Sequence, residues 1–397
     1  ERLLGQAFAV SSQIVEERIC SMEDVDRGAK VGLRWSRGPF EIANRIGVTD
    51  AARMAEAYAE EAGLELPAWF TEREYPFEFS YVDIEVDDGI ATVRLNRPEA
   101  MNALNVTLIG QLGEAIDGLN RRDDVNTIVL EGAGKAFVAG ADVKFFVDKI
   151  RQGSFQKIFD FTAHGHVVLN SIESSPKTTI ALTTGLALGG GLELALSCDY
   201  RVGTKRTQFR FPETSIGIYP GLGGTQRTVR ICGIEAARFA ILAGNFLDSE
   251  TAKALGLLTH LVTPSEVSAT VAEIASSGKP RNKYPGHPSD PSNPVVSFAE
   301  SFYSDANMIA ISSGEAPEGE DPEDVHVSRQ LKSLSRVAPL ALRTASDLLD
   351  QAVTTGDDLL AGLQLELDGL ETTFGTHDAL EGLSALIEGR RPEYSGA

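Results

Sequence analysis

Leu188-Gly189-Gly190-Gly191-Leu192-Glu193-Leu194-Ala195 carries a carboxylate that returns twenty residues later in Phe211-Pro212-Glu213, followed by Tyr219-Pro220-Gly221-Leu222-Gly223-Gly224-Thr225-Gln226-Arg227. Two carboxylates on separate glycine-rich turns can converge on one water molecule, one held protonated while the other is ionised. Glycines beside them let backbone N–H groups reach a ligand oxygen that bulkier residues would keep away. The combination suits addition or elimination of water at an activated carbonyl compound. Blander roles fit the same residues: Glu193 as a first-turn complement to a helix dipole, Glu213 as a loop carboxylate paired with Arg210 or Arg227.

Outward from these turns, strand and helix patterns alternate. Residues 81–86 and 90–95 are β-rich runs joined by Asp87-Asp88-Gly89, a hairpin signal. Helix 106–119, strand 127–130, helix 155–172 and strand 178–182 follow, which argues for an α/β architecture with parallel pairing. Before residue 70 only helices are expected. Leu3, Leu4, Ala7, Val10, Ile14 and Val15 recur near helical spacing, and Ser21-Met22-Glu23-Asp24 has the form of a capping box that opens a helix through 31. Gly38-Pro39 breaks the region, and a further helix covers 50–62. Residues 277–325 interrupt the alternation with Pro, Ser, Asn and Gly and then with small and acidic residues. They read as an insertion, mostly surface loop with a short helix at 295–303. Helices resume over 340–353, 359–374 and 378–388.

The chain has 397 residues, so two or more units are expected. A formal charge of −21 argues against nucleic acid, although local cations and N–H groups still allow an anionic coenzyme. That acidity fits solubility or adaptation to salt. Cys20, Cys198 and Cys232 are scattered, which makes a disulfide framework or zinc site improbable and suits a reducing cytoplasm. No apolar run is long enough for a membrane span, so no membrane partner is expected. The chain opens on Glu1-Arg2-Leu3-Leu4, without an initiator Met or a signal-like stretch, and reads as a piece of something longer. The six histidines give no metal signal; His164 and His166, two apart, point to different sides of a helix.

Ala136-Phe137-Val138-Ala139-Gly140-Ala141-Asp142-Val143-Lys144, the 189–193 turn, the 213–227 stretch and the strand Ala91-Thr92-Val93-Arg94-Leu95-Asn96-Arg97-Pro98 together resemble the crotonase superfamily, and more narrowly its enoyl-CoA hydratases. The resemblance covers about residues 81–262 and resumes over about 339–394. It implies a core of repeated ββα turns in a spiral with a C-terminal helical region. Glu23-Asp24-Val25-Asp26-Arg27-Gly28-Ala29-Lys30, with Gly38-Pro39-Phe40-Glu41, resembles the helical C-terminal domain of 3-hydroxyacyl-CoA dehydrogenases. No GxGxxG precedes it and no candidate catalytic His lies in it, so dehydrogenase activity is not expected; a packing role is. The expected domains are 1–72 (small, all-α), 78–276 (α/β spiral core), 277–325 (insertion) and 326–397 (C-terminal helices).

What the resemblance implies for chemistry is hydration of a trans-2-enoyl-CoA to the 3-hydroxyacyl-CoA by reversible syn addition, or dehydration of a short 3-hydroxyacyl-CoA. The backbone N–H groups of Ala141 and Gly190 would face the thioester oxygen; one such donor is worth about 10²- to 10³-fold in rate. Glu193 would activate the water and Glu213 would protonate Cα. Gly221 would help orient the water, and the paired acids should titrate as a unit. Ala139 and Val143 flank the first donor, and Lys144 resembles a residue near the coenzyme phosphates, against an ordinary surface lysine. Asp142 is expected to hold its loop through backbone bonds as well as bordering the ligand. Ala100, Asn102 and Ala103 match a turn beside the adenine pocket, and Arg391 belongs to a basic tail that can reach coenzyme A. Phe145, Phe146 and Phe161 are candidates for an acyl pocket or for plain core, and Asp199 for a structural role.

The resemblance further implies no metal or redox cofactor, coenzyme A being part of the substrate. It implies a homo-trimer or hexamer, and it allows a dehydrogenase domain fused upstream. Two other readings stay open. A Δ3,Δ2-enoyl-CoA isomerase would need Glu213 but not Glu193, and a non-catalytic binding or assembly module would be retained on nucleic acid rather than on immobilised coenzyme A.

Overall fold

Small residues at a helix crossing organise the first of two units in the computed structural model, which describes residues 1–396. This unit spans Glu1–Tyr81. Its helices Arg2–Glu16 and Val48–Ala62 cross where a Cβ on Gly5 would lie 2.2 Å from the Met54 carbonyl oxygen. Ser21 caps Met22–Gly32 through the Asp24 N–H at 3.1 Å, and Glu41 returns its carboxylate to the Gly38 N–H at 3.0 Å to open Pro39–Ile46. Phe8, Phe40, Phe70 and Phe77 fill the core. Phe77 carries the unit past residue 72, because Asn44 binds both its N–H and its carbonyl oxygen.

The second unit, Val82–Ala397, contains all the strands. These are β1 (Val82–Asp87), β2 (Ile90–Leu95), β3 (Thr127–Gly132), β4 (Ala136–Ala139), β5 (Thr178–Thr183), β6 (Leu186–Leu188), β7 (Tyr200–Gly203), β8 (Gln208–Arg210), β9 (Leu247–Asp248) and β10 (His260–Leu261). One sheet has the order β1-β2-β3-β5-β7-β10, the other β4-β6-β8-β9. Each winding therefore gives one strand to each sheet, as β3/β4, β5/β6 and β7/β8, and helices return the chain to the first sheet. This is the ββα spiral, with parallel pairing throughout except at β1–β2 and β8–β9. The β3 and β5 runs are buried on both faces, as strands covered on both sides require.

The 277–325 segment is largely exposed, with a short helix where one is expected at 295–303. Its helix Pro294–Phe302 buries Val296, Ala299 and Phe302, and Tyr303 is fully enclosed. Apolar residues spaced three apart carry that helix in a stretch dominated by Pro and Ser. At the C-terminus, Pro339–Thr355 and His377–Glu388 lie where helices are expected. The expected 359–374 helix is instead broken into Leu359–Asp368 and Leu370–Phe374. The Tyr219 hydroxyl donates to the Glu366 carbonyl oxygen, the acceptor that the Leu370 N–H would otherwise use, and Gly369 lets the Tyr219 ring edge come close. Among the described residues, no helix is long and apolar enough to cross a membrane.

Candidate active site

Three parallel strand ends in register build the site. Ala139 of β4 pairs with Leu188 of β6, and Leu188 pairs with Arg210 of β8. Beyond this row the chain delivers Ala141, Gly190 and Glu213, each two or three residues on. Carboxyl ends of parallel strands are where α/β sheets present ligand-binding loops. A cavity of about 370 Å³ opens there, lined by Ala141, Gly190, Glu193, Glu213 and Gly221, with Phe146, Phe161 and Phe374 among its apolar walls.

Gly189 is the turn on which this depends. Its φ is +48°, a backbone region that favours glycine, and a Cβ there would lie 2.2 Å from Glu213 Oε1. The next residue, Gly190, opens the helix Gly190–Ser197, so its N–H has no intrahelical acceptor. Ala141 bridges Leu104 in parallel fashion, but the bonds of that bridge use the Gly140 carbonyl and the Asp142 N–H. The Ala141 N–H is thus left outside the ladder. Two unengaged donors and two carboxylates share one apolar-walled cavity.

The carboxylates are held differently. Glu193 Oε1 accepts from the N–H groups of Leu222 and Gly224, both at 2.7 Å. Glu213 Oε2 is buried with no hydrogen-bond partner among the described residues. Neither Arg210 nor Arg227 bonds to it: Arg210 donates to the Gly244 carbonyl, and Arg227 pairs with Glu173. Burial pushes the Glu213 carboxyl up to about 8, with its own backbone N–H and then the Arg210 charge pulling back. Burial also raises Glu193, helped by the charges of Glu213 and Glu366 and opposed by its two N–H donors. Once Glu213 holds the shared proton, its repulsion disappears and those donors favour an ionised Glu193.

Beneath the 221–224 turn lies a third carboxylate that sequence reasoning missed. Glu366 is fully buried; its side chain accepts from the Gly223 N–H at 2.7 Å and from the Thr225 hydroxyl at 2.5 Å. His166 Nε2 stands 2.8 Å from the Gly221 carbonyl and 3.3 Å from Glu366 Oε2; both are acceptors, so Nε2 carries the hydrogen. Glu366 lies more than a hundred residues from this turn on an amphipathic helix, where an isolated Glu looks solvated. His166 had a readable signal, since it falls on the buried stripe of Ile158, Thr162 and Leu169.

The other expected contacts divide. Ala139, Val143 and Gly221 line the cavity, and the Gly221 N–H donates to no group among the described residues. Ala100, Asn102, Ala103, Asp142, Lys144 and Arg391 are not in its wall. Asn102 is buried, and its side chain binds the carbonyls of Ala133, Ala136 and Phe137 and the Arg97 N–H, so it holds the turn together. Asp142 turns to the Arg97 guanidinium at 3.4 Å instead of to backbone, and Arg97 also binds the Ala103 carbonyl. Lys144 and Arg391 are exposed. Neighbouring Arg390 is taken by Glu381 and Glu388 of its own chain. Phe145 packs against Phe146 edge-on and Phe161 at a tilt, and it is not among the residues lining the cavity. Asp199 accepts from Thr179 N–H and hydroxyl, a structural bond between strands.

Comparison with known proteins gives the same division of the chain. The enoyl-CoA hydratase/isomerase family model matches residues 90–397, and the 3-hydroxyacyl-CoA dehydrogenase C-terminal domain model matches residues 1–72. A crotonyl-CoA hydratase of Syntrophomonas wolfei is 35% identical over 198 residues, covering 50% of this chain and 75% of that protein. The peroxisomal fatty acid β-oxidation multifunctional protein AIM1 of Arabidopsis thaliana is 37% identical over 204 residues, 50% of this chain but 28% of the relative. The crystal structure of a carnitinyl-CoA dehydratase from Mycobacterium thermoresistibile shares the fold, with a TM-score of 0.67 at 22% identity over 80% of this chain and 92% of that one.

Proposed function

Because this chain belongs to the enoyl-CoA hydratase/isomerase family, we propose that it is a hydro-lyase that adds water reversibly to a trans-2-enoyl-CoA through Glu193 and Glu213. The observation that carries the assignment is the cavity in which both buried carboxylates meet the unengaged N–H groups of Ala141 and Gly190. Water bonds to Cβ as Glu193 takes one of its protons. The π electrons move toward the thioester oxygen, where the two N–H groups face the developing charge. Glu213 then gives its proton to Cα, and transfer of a proton from Glu193 to Glu213 restores the pair. Dehydration is the same path reversed, with the roles exchanged.

Every step moves a proton or forms a C–O bond, so the chemistry calls for no redox or metal cofactor beyond coenzyme A in the substrate. Gly221 supplies a free N–H for the water, and Ala139 and Val143 border the thioester. Lys144, exposed beside Val143, is available to the coenzyme phosphates. The same reading makes the molecule a cytoplasmic homo-trimer or hexamer, with residues 1–72 the trailing piece of a dehydrogenase module in a multifunctional chain. The test is loss of the conjugated-thioester absorbance of crotonyl-CoA. Wild type should bleach it, and Glu193→Gln and Glu213→Gln should each be slower by about 10²- to 10⁴-fold. Variants as fast as wild type would remove both carboxylates from the reaction.

A further inference from the structure

We propose that Lys283 and Tyr284, in the segment that departs from the α/β alternation, are positioning residues for Glu193, clamping from outside both the helix and the turn that hold it. The proposal rests on the reading of Glu193 as the water-activating base. Glu193 is fixed from two sides. Its own helix, Gly190–Ser197, sets its Cα, and the N–H groups of Leu222 and Gly224 fix its Oε1. Neither support is isolated from residues 277–325.

The helix ends at Ser197, whose carbonyl oxygen accepts from Lys283 Nζ at 2.6 Å. A cation on the last carbonyls of a helix is where the dipole favours it. Burial brings the Lys283 ammonium down to about 8, so it keeps its charge at neutral pH. The turn is held through a buried arginine. Arg227 Nη1 donates to the Leu222 carbonyl at 3.1 Å, Nη2 to Asn170 at 2.7 Å and Nε to Glu173 at 2.8 Å. A Cβ on Gly223 would lie 1.8 Å from Arg227 Nη1, so glycine at that position admits the guanidinium. Glu173 in turn receives the Tyr284 hydroxyl, and Lys283 Nζ lies 3.6 Å from it.

One dipeptide thus closes two routes to the same carboxylate. Lys283 acts on the far end of its helix, and Tyr284 acts through Glu173 and Arg227 on the turn that donates to it. A buried Arg227 has no slack: if Glu173 loses a donor and shifts, the guanidinium and the Leu222 peptide shift with it.

The experiment is steady-state hydration of crotonyl-CoA by the full chain carrying Tyr284→Phe, Lys283→Met or both, with Glu193→Gln alongside. Each is assayed below its unfolding temperature as found by calorimetry, and amide exchange is read at Leu222 and Gly224. Misplacement of a reacting group from a distance costs up to about 10²-fold, so each single variant should lose about tenfold in kcat and the pair about 10²-fold. KM should stay within about twofold, and both amides should exchange faster. Tyr284→Phe keeps the ring packing, and it carries the test if Lys283→Met does not fold. Unchanged kcat in folded variants, with Glu193→Gln inactive, would overturn the clamp alone. An active Glu193→Gln would overturn the base and the clamp with it.

Discussion

Each unit buries a carboxylate, and the two are treated in opposite ways. In the helical unit Asp26 is buried, and its oxygens accept one each from the N–H groups of Phe40 and Glu41, at 2.8 and 2.9 Å. In the α/β unit Glu213 is buried as well, yet its Oε2 has no partner among the described residues. Burial raises both, Asp26 to about 6 and Glu213 to about 8. Asp26 gains backbone bonds that start a helix, so its burial is explained within its own fold. Glu213 has the N–H of its own residue to lower its carboxyl, but its Oε2 is left unpartnered, and it faces a cavity. A buried polar atom without a partner needs a reason, and the proposed transfer of a proton to the substrate supplies one.

The sharpest way to break this comparison is to neutralise Glu213. With a carboxyl at about 8, Glu213 is mainly protonated at neutral pH, and glutamine mimics that form. Glu213→Gln should therefore abolish most hydration while leaving the unfolding temperature near pH 4 unchanged. The pH dependence has a definite sign. A carboxyl raised in the folded state contributes stability that is complete below its unfolded value near 4.5 and is lost as pH rises through about 8. Wild type should thus fall behind Glu213→Gln between pH 4 and pH 9, read by calorimetry. A variant less stable than wild type at both pH values would show that the Glu213 carboxyl has a structural partner after all.

Much of this site was legible before any coordinates. Glycines at 189–191 and at 221, 223 and 224 marked turns where backbone can approach a ligand, and the two carboxylates on them read as able to converge. The reason lies in the register: Leu188 opposite Arg210 turns the twenty-residue spacing of Glu193 and Glu213 into adjacency. What could not be read were partners brought in by tertiary packing. Glu366 and Tyr284 have ordinary local patterns, and their significance comes only from the turn and helix that fold over them. Asn102 and Asp142 show the same limit from the other side. Motif position placed them beside a ligand, whereas carbonyl groups and Arg97 within hydrogen-bond reach claim their side chains.

A smaller effect sharpens the contrast inside the α/β unit, where Glu366 is as satisfied as Asp26 but lies close enough to act on Glu193. The charges that face Glu193 are Glu213 and Glu366, with Arg210 behind Glu213 and His166 beside Glu366. Glu366→Gln removes one of two repulsions and leaves one donor, Gly223 N–H or the Thr225 hydroxyl, poorly matched. Glu193 should then ionise at lower pH. The acid limb of kcat/KM for hydration should move down by about one pH unit, with kcat at neutral pH reduced by the looser turn. An acid limb that stays in place would reduce Glu366 to a brace for the 221–224 backbone.

The smallest effect belongs to Asp26, and the chain carries its own reporter. Its two tryptophans, Trp35 and Trp69, both lie in the helical unit, so their fluorescence follows that unit while crotonyl-CoA turnover follows the other. Asp26→Ala strips the N–H groups of Phe40 and Glu41 of their acceptor, a loss of about 1 kcal/mol for a helix cap. The wild-type carboxyl is raised to about 6, so its contribution is complete below the unfolded value of 3.8 and declines as pH rises through about 6. The gap in urea midpoint between wild type and Asp26→Ala, followed by tryptophan fluorescence, should therefore be widest near pH 4 and narrow above pH 6. Turnover should not change. A change in turnover would mean that this satisfied carboxylate reaches the chemistry, and partner count would then no longer separate structural acids from working ones.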